Sequence, residues 1–153
     1  MNILVLGATG TIGTPLTQRL HDDGHTVTAW SRRTHGDLST QLIPLDMVEG
    51  TELIIDVTDA KRRSSMLPRM ATSVVSSVHR AAVTPRILCL GILNQDKSTF
   101  SYYKHKQQQH QVYASSGLPY TAVRCTQFTT FLTSLFDAAT PTGLIPLQGL
   151  GGS

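Results

Sequence analysis

The chain has 153 residues, of which 40% are hydrophobic and 15% are charged. That length fits one domain with a substantial core, and the composition is that of a globular protein rather than a disordered one. The formal net charge is only +3 and the basic residues are scattered, which argues against nucleic acid as a partner. No apolar run reaches membrane-spanning length and no leader-like segment precedes the first apolar run, so we expect a cytoplasmic protein.

A glycine-rich turn follows the first predicted strand, Ile3–Leu6. Glycines recur there at every third position, and a helical pattern begins directly afterwards. Buried strand, glycine turn and helix N-terminus are the parts of a dinucleotide site, in which the free N–H groups of the first helical turn hold the phosphates. The alternative is a glycine turn with a structural role only. On the first interpretation the nucleotide contacts come from Gly7, Thr9, Gly10, Thr11, Ile12 and Gly13.

The spacing of the three glycines, G-x-x-G-x-x-G, resembles the short-chain dehydrogenase/reductase superfamily and especially its atypical, NmrA-like NAD(P)-binding members. The second half of the chain is similar to the same proteins. It has a Tyr-Tyr-x-x-Lys helix from Tyr102, a Ser-Gly-Leu-Pro-aromatic-Thr turn from Ser116 into a sixth predicted strand, and then Arg-x-x-Gln-Phe from Arg124. The order of elements and the resemblance predict one α/β domain over residues 1–153, of Rossmann type, with a doubly wound, mostly parallel sheet of about six strands. The resemblance also implies a C-terminal substrate lobe that this chain lacks, as a fragment or a truncated relative would.

The residues after the second predicted strand, Thr26–Trp30, bear on the choice of cofactor. A site for NAD usually has Asp or Glu at this point to bind the ribose 2′-hydroxyl. This chain has Ser31, Arg32 and Arg33 instead. A guanidinium is a planar, bidentate partner for a phosphate, so NADP is favoured over NAD. Arg33 is equally compatible with a solvated loop.

Two further strands are predicted at Gln41–Asp46 and Glu52–Val57. Asp46, Val57 and Thr58 would then lie at carboxyl ends of strands, beside the cofactor cleft. Only five residues separate the two runs, whereas a crossover between parallel strands needs about a dozen. Either the connection is an irregular loop or the strand at 41–46 is wrongly assigned.

The middle of the chain continues with a basic loop, a helix and a strand. The loop, Lys61–Ser65, could contact a phosphate, but a solvated surface is the simpler interpretation. An apolar stripe predicts a helix over Pro68–Val83, and Arg86–Gly91 predicts the fifth strand. The two cysteines, Cys89 and Cys125, fall in predicted strands and are expected to be free thiols. No His or Cys spacing suggests a metal site.

Tyr102 and Lys106 have the Tyr-x-x-x-Lys spacing of short-chain dehydrogenases, and one helical turn places both on the same face. The resemblance implies that the lysine lowers the tyrosine pKa and binds the nicotinamide ribose, while the tyrosine donates a proton to substrate. The serine of the full dehydrogenase site has no counterpart in Leu88–Gly91. The alternative is a Tyr and a Lys on an exposed helix face.

The resemblance implies an NAD(P)H-dependent oxidoreductase that acts on a small carbonyl, quinone or flavin-like acceptor. The competing interpretation is a non-catalytic regulator that senses NADP, or an inactive truncated relative. A last predicted helix, 129–136, has an apolar stripe that would mediate homo-oligomer formation or bind a protein partner if it is left uncovered. That stripe consists of Phe131, Leu132, Leu135 and Phe136, next to Phe128.

Overall fold

The computed structural model describes residues 1–126, apart from the side chain of Lys61. Its strands are β1 (Asn2–Leu6), β2 (Thr26–Trp30), β3 (Leu53–Asp56), β4 (Arg86–Ile92) and β5 (Tyr120–Cys125). Its α-helices are α1 (Gly13–Asp22), α2 (Arg32–His35), α3 (Leu45–Val48), α4 (Leu67–Arg80) and α5 (Ser101–Ala114). Short 3₁₀ segments occupy Lys61–Met66 and Gln95–Lys97.

The five strands form one sheet in the order β2-β1-β3-β4-β5, and every neighbouring pair is parallel. From β1 the chain first adds β2 on one side and then crosses back to add β3 on the other side. The strand order therefore reverses at β1. In open α/β sheets ligands bind at the carboxyl ends of the strands beside such a reversal. The predicted Rossmann-type parallel sheet is confirmed.

The sheet is covered on both faces, which explains why β1 is apolar without interruption from Ile3 to Leu6. Leu4 and Leu6 point to one face, where they pack in the same cluster as Val74 of α4 and Tyr113 of α5. The alternate residues point to the other face, where they contact the apolar side of α1. A side-chain period of two separates these two sets.

The predicted strand at 41–46 is wrong. The segment is a loop that leads into α3, and Pro44, which has no N–H to donate to a sheet, stands immediately before that helix. Ile43 is completely buried, but its N–H donates to Ser77 Oγ of α4 at 2.9 Å rather than to a neighbouring strand. A single buried residue thus produced a strand-like pattern. Within residues 1–126 the sheet has five strands instead of about six.

The remaining strands and the longer helices agree with the sequence, whereas α2 and the 3₁₀ segment Lys61–Met66 lie where loops were expected. α4 begins at Leu67 with Pro68 in its first turn, and β4 and β5 lie where strands were predicted. The predicted helix at 129–136 and the end of the Arg-x-x-Gln-Phe motif lie outside the described residues. Among the helices of residues 1–126, none is both long and apolar enough to cross a membrane.

Candidate dinucleotide-binding site

The glycine loop is fixed to the ends of both strands that flank β1. Gly7 has φ of +83°, a left-handed conformation that favours glycine. A Cβ on Gly7 would lie 3.0 Å from both the Val57 oxygen and the Thr58 nitrogen. The Gly7 N–H donates to the Trp30 oxygen at 3.0 Å. The turn out of β1 therefore contacts the last residue of β2 and the chain just beyond β3.

The second and third glycines are constrained in different ways. A Cβ on Gly13 would overlap the Gly7 carbonyl oxygen and lie 2.8 Å from Ala8 Cα, so the packing of α1 against the loop itself requires glycine. Among residues 1–126, a Cβ on Gly10 would have one close neighbour, the Gly7 oxygen at 3.3 Å. Apart from that tight contact, the described part of the chain leaves open the space that a Gly10 side chain would fill. That is the space a bound pyrophosphate uses in a dinucleotide site.

The N-terminus of α1 leaves backbone donors free. Ile12 precedes the helix without a capping side-chain bond, and the first turn has no acidic residue. Among residues 1–126, the N–H groups of Thr11 and Ile12 have no hydrogen-bond acceptor, whereas those of Gly10 and Thr14 bond within the loop. Free N–H groups and the positive end of the helix dipole favour an anion at this position.

A cavity of about 540 Å³ opens over this loop. Its walls are the glycine loop, the segment after β2 and the segment after β3. Of the sequence-predicted contacts, those that line it are Gly7, Thr9, Gly10, Thr11, Ile12, Ser31, Arg32, Val57 and Thr58. The remaining predicted residues, which do not line it, are Gly13, Arg33, Asp46, Tyr102 and Lys106.

Asp46 is a correction to the predicted site. It was placed at the carboxyl end of a strand that does not form, and it is instead an exposed residue of the first turn of α3. Arg33 is exposed on α2, in agreement with the solvated alternative. Gly13 contributes through packing, as described above.

Arg32 is the cation that the segment after β2 presents to the cavity. It is the first residue of α2. Ser31 fixes the helix start, since its Oγ accepts from the Thr34 N–H at 3.3 Å. The Arg32 side chain is exposed and has no partner within residues 1–126. A free guanidinium at the carboxyl end of β2 suits a phosphate ligand.

The sequence interpretation missed an ion pair between the two side walls of the cavity. Arg63 Nη1 donates to Asp37 Oδ2 at 2.8 Å, and both residues line the cavity. The Asp37 pKa is lowered to about 2, first by hydrogen bonds from the Ser39 hydroxyl and backbone N–H and then by Arg63. Arg62 and Asp59 also line the cavity. The basic loop Lys61–Ser65 therefore contributes residues to the cavity wall, although the simpler interpretation of the sequence placed this loop in solvent.

Lys106 is buried, with 4% of its surface exposed. Its Nζ donates to the Thr58 oxygen at 3.1 Å, the Leu90 oxygen at 3.2 Å and Gln109 Oε1 at 3.1 Å. An ammonium has three donors, so all of them are used within the chain. A bond from Lys106 to a ribose would have to replace one of these three.

Tyr102 donates a hydrogen bond to Asp59 Oδ1 at 3.2 Å. Burial, followed by the charge of Asp59 and this hydrogen bond, raises the Tyr102 pKa well above its usual value. The expectation that Lys106 lowers the pKa of this tyrosine is therefore wrong in this arrangement. Tyr102 contacts the site through Asp59 and does not line the cavity itself.

A buried carboxylate supports the wall formed by Thr58. Asp56, 1% exposed, accepts from the Thr58 N–H at 2.9 Å and the Thr58 hydroxyl at 2.6 Å. Its second oxygen accepts from Gln109 Nε2 at 2.9 Å and the Tyr113 hydroxyl at 2.6 Å. The carboxylate thus has hydrogen-bond partners on both oxygens, as a buried charge requires.

Cys89 stands in the part of β4 where a hydroxyl is missing from the dehydrogenase pattern. It is buried, and burial raises its thiol pKa. His110 Nε2 lies 3.8 Å from its sulfur, and burial lowers the His110 pKa to about 4. Both groups are therefore neutral near pH 7. Elsewhere in residues 1–126, no three His, Cys, Asp or Glu side chains are grouped as metal ligands.

The doubly wound sheet, the glycine loop and the cavity at the strand reversal define an NAD(P)-binding domain of the Rossmann type. The chain belongs to the NAD dependent epimerase/dehydratase family, whose model matches residues 3–87. This family match agrees with the expected resemblance to a nicotinamide-nucleotide-binding family.

Three solved structures show the same fold. Citrobacter triphenylmethane reductase, complexed with NADP(H), is 18% identical with a TM-score of 0.65, over 95% of this chain and 56% of its own. A Staphylococcus aureus nucleoside-diphosphate-sugar epimerase is 17% identical with a TM-score of 0.70, and the match covers 93% of this chain and 56% of the epimerase. An Escherichia coli NADPH-dependent quinone oxidoreductase, complexed with NADPH, is 18% identical with a TM-score of 0.59. The match covers 92% of this chain and 54% of the oxidoreductase.

The chain therefore spans little more than half the length of these proteins. At such identities the likeness establishes the fold. No curated protein sequence gave a significant match.

Proposed function

We propose that this chain binds NADP(H) over the glycine loop and is the cofactor-binding part of an oxidoreductase. The acceptor class that we propose is a small carbonyl, quinone or flavin-like compound. Two of the similar structures are named as reductases or oxidoreductases and contain NADP(H) or NADPH. Their reactions support the proposed class by analogy of fold.

The observation that carries the proposal is the open space at Gly10 beside the free N–H groups of Thr11 and Ile12. A pyrophosphate placed there would accept hydrogen bonds from the helix N-terminus. The proposed contacts of the diphosphate are the loop residues from Gly7 to Gly13. Val57 and Thr58 would border the nucleotide on the β3 side.

The preference for NADP over NAD is proposed from Arg32. Its guanidinium is free within residues 1–126 and lies at the cavity. A 2′-phosphate carries a charge of about −1.5 to −2 at pH 7, like other phosphate monoesters. Arg32 would pair with it, and Ser31 would keep α2 in position.

A specific observation favours a second candidate, an NADP-sensing regulator without turnover. The two residues with the dehydrogenase spacing are already engaged, Tyr102 by Asp59 and Lys106 by three acceptors. A proton donor needs access to the substrate oxygen. Under this candidate, nucleotide binding would change the association of the chain with itself or with a protein partner.

Intrinsic fluorescence gives a direct binding test. Trp30 is the single tryptophan of the chain, lines the cavity and stacks on His35 with ring centroids 4.9 Å apart. Titration with NADPH should change its emission and saturate, at lower concentration than with NADH. The absence of any saturable response, confirmed by calorimetry, would contradict the proposal.

Oxidation of NADPH in the presence of a panel of quinones, flavins and small carbonyls then separates the two candidates. Turnover supports the oxidoreductase. Tight NADPH binding without turnover, together with a nucleotide-dependent change in light scattering, supports the regulator.

A further inference from the structure

The cavity contains charges of both signs. Three arginines, Arg32, Arg62 and Arg63, and two aspartates, Asp37 and Asp59, line it. Among the described side chains of this cavity, which do not include that of Lys61, the positive charges outnumber the negative charges by one. The loss of a single carboxylate would double that difference. The identity of each acidic residue thus has a large influence on how the cavity treats an anionic ligand.

Asp37 is held firmly in this arrangement. Its Oδ1 accepts from the Ser39 N–H at 2.9 Å and the Ser39 hydroxyl at 2.7 Å. Ser39 is itself buried. The other oxygen, Oδ2, accepts from Arg63. The carboxylate is therefore fixed on the β2 side of the cavity, and it draws a guanidinium across from the β3 side.

We propose that Asp37 is a specificity-determining residue that limits the preference of the cavity for 2′-phosphorylated nucleotides. This inference rests on the proposed function, because it concerns the same nucleotide. Asp37 acts in two ways: it occupies Arg63, and it contributes a fixed negative charge to the wall of the cavity that Arg32 also lines. The cavity thereby accepts NADP while retaining measurable affinity for NAD.

The effect on a 2′-phosphate is electrostatic. Asp37 and Arg32 line the same cavity, and a charge in a cavity wall acts on a bound anion over a range of about 8 Å at physiological ionic strength. NAD and NADP share the pyrophosphate, so its interaction with Asp37 cancels when the two affinities are compared. Only the interaction with the 2′-phosphate remains in the ratio.

The test is the ratio of the dissociation constants for NADH and NADPH, measured by calorimetry on the full chain. Asp37→Asn keeps the size of the side chain and removes its charge. The dissociation constant for NADH divided by that for NADPH should therefore rise about three- to tenfold. Arg63→Gln leaves the Asp37 charge unneutralised, and the same ratio should fall by a similar factor. Arg63 is half-exposed, so this second variant decides the question if Asp37→Asn does not fold.

Asp23→Asn is the matched control. Asp23 also pairs with an arginine, Arg19, at 3.1 Å, but it lies just beyond the end of α1 that is remote from the glycine loop. The ratio of the dissociation constants for NADH and NADPH in this variant should equal that of the unmodified chain. Shifts in opposite directions for the two cavity variants support the proposal, because structural damage would weaken both nucleotides together.

An unchanged ratio in both cavity variants, or an equal loss of both nucleotides, would overturn the role of Asp37 and leave the proposed function standing. A chain that binds neither nucleotide before any substitution would overturn the proposed function and this inference with it.

Discussion

The Tyr102 hydroxyl donates to the Asp59 carboxylate at 3.2 Å, across 43 residues of sequence. This contact joins the N-terminal turn of α5 to the cavity wall after β3. It also explains the raised pKa of the tyrosine, because burial and a neighbouring negative charge both disfavour the phenolate. A group with that environment is a weaker acid than a free tyrosine. Tyr102 is therefore better placed to hold Asp59 than to donate a proton.

Tyr102→Phe should accordingly have little effect on any turnover that the chain supports. General acid catalysis contributes about 10²- to 10⁴-fold, so its loss would be obvious in kcat. We expect a change of less than about threefold, measured with NADPH and the best acceptor of the panel. A fall of a hundredfold, with NADPH affinity unchanged, would instead establish Tyr102 as the proton donor.

Arg32→Asp should weaken NADPH far more than NADH. The substitution exchanges a charge-assisted hydrogen bond for a repulsion, and losing one such bond costs about 1.5–3 kcal/mol, or roughly ten- to a hundredfold in affinity. Calorimetric titration with both nucleotides measures the difference. Arg33→Asp is the control, because Arg33 neighbours Arg32 but does not line the cavity. Equal responses of NADPH and NADH to Arg32→Asp would assign Arg32 to the surface only.

Tyr113→Phe should destabilise the fold through Asp56. The buried carboxylate would lose the 2.6 Å bond from the Tyr113 hydroxyl, and a hydrogen bond to a charged group contributes about 1.5–3 kcal/mol. The free energy of unfolding in urea should fall by that amount. Tyr103→Phe, on the same helix, is the control, since its hydroxyl has no partner within residues 1–126. An equal effect of both changes would show that Asp56 does not depend on Tyr113.

His110 should make stability depend on pH below neutrality. Burial lowers its pKa from 6.5 to about 4, so the unfolded chain binds a proton in this range and the folded chain does not. The contribution of the neutral, buried His110 to the free energy of unfolding is therefore complete above pH 6.5. It decreases as the pH falls toward 4, by at most about 3 kcal/mol. His110→Gln should flatten the pH dependence of the urea midpoint in that window. The same slope in His110→Gln and in the exposed-site control His79→Gln would contradict this assignment.

The sequence predicted those parts of the site whose chemistry is local. The glycine loop, the strand before it and the helix after it are consecutive, so spacing alone identified them. Ser31 and Arg32 were predicted in the same way, because they directly follow β2.

Contacts between distant segments were not predictable by these means. Asp37 and Arg63 are 26 residues apart, and only the return of the chain across β1 brings them together. The error at Asp46 has a similar origin, since Ile43 is buried in a cluster that includes Val74 and Val78 of the distant helix α4. Lys106 was identified by its spacing, but its three acceptors come from Thr58, Leu90 and Gln109, and no local pattern revealed them.

Gly10 and Gly13 distinguish a binding requirement from a folding requirement. Gly13→Ala should unfold or strongly destabilise the domain, because its Cβ would overlap the Gly7 oxygen. Gly10→Val should leave the far-ultraviolet circular dichroism unchanged, since its Cβ would make one tight contact, 3.3 Å from the Gly7 oxygen, rather than an overlap. Thermal unfolding of the two variants measures this contrast. Equal stability of both would mean that the loop is packed differently.

Calorimetric titration of folded Gly10→Val with NADPH is the most direct test of nucleotide binding at this loop. Its side chain would occupy the space assigned to the pyrophosphate, so binding of both NADPH and NADH should be lost, while the unmodified chain binds NADPH more tightly than NADH. Unchanged affinity of the folded variant for NADPH would contradict the glycine-loop site.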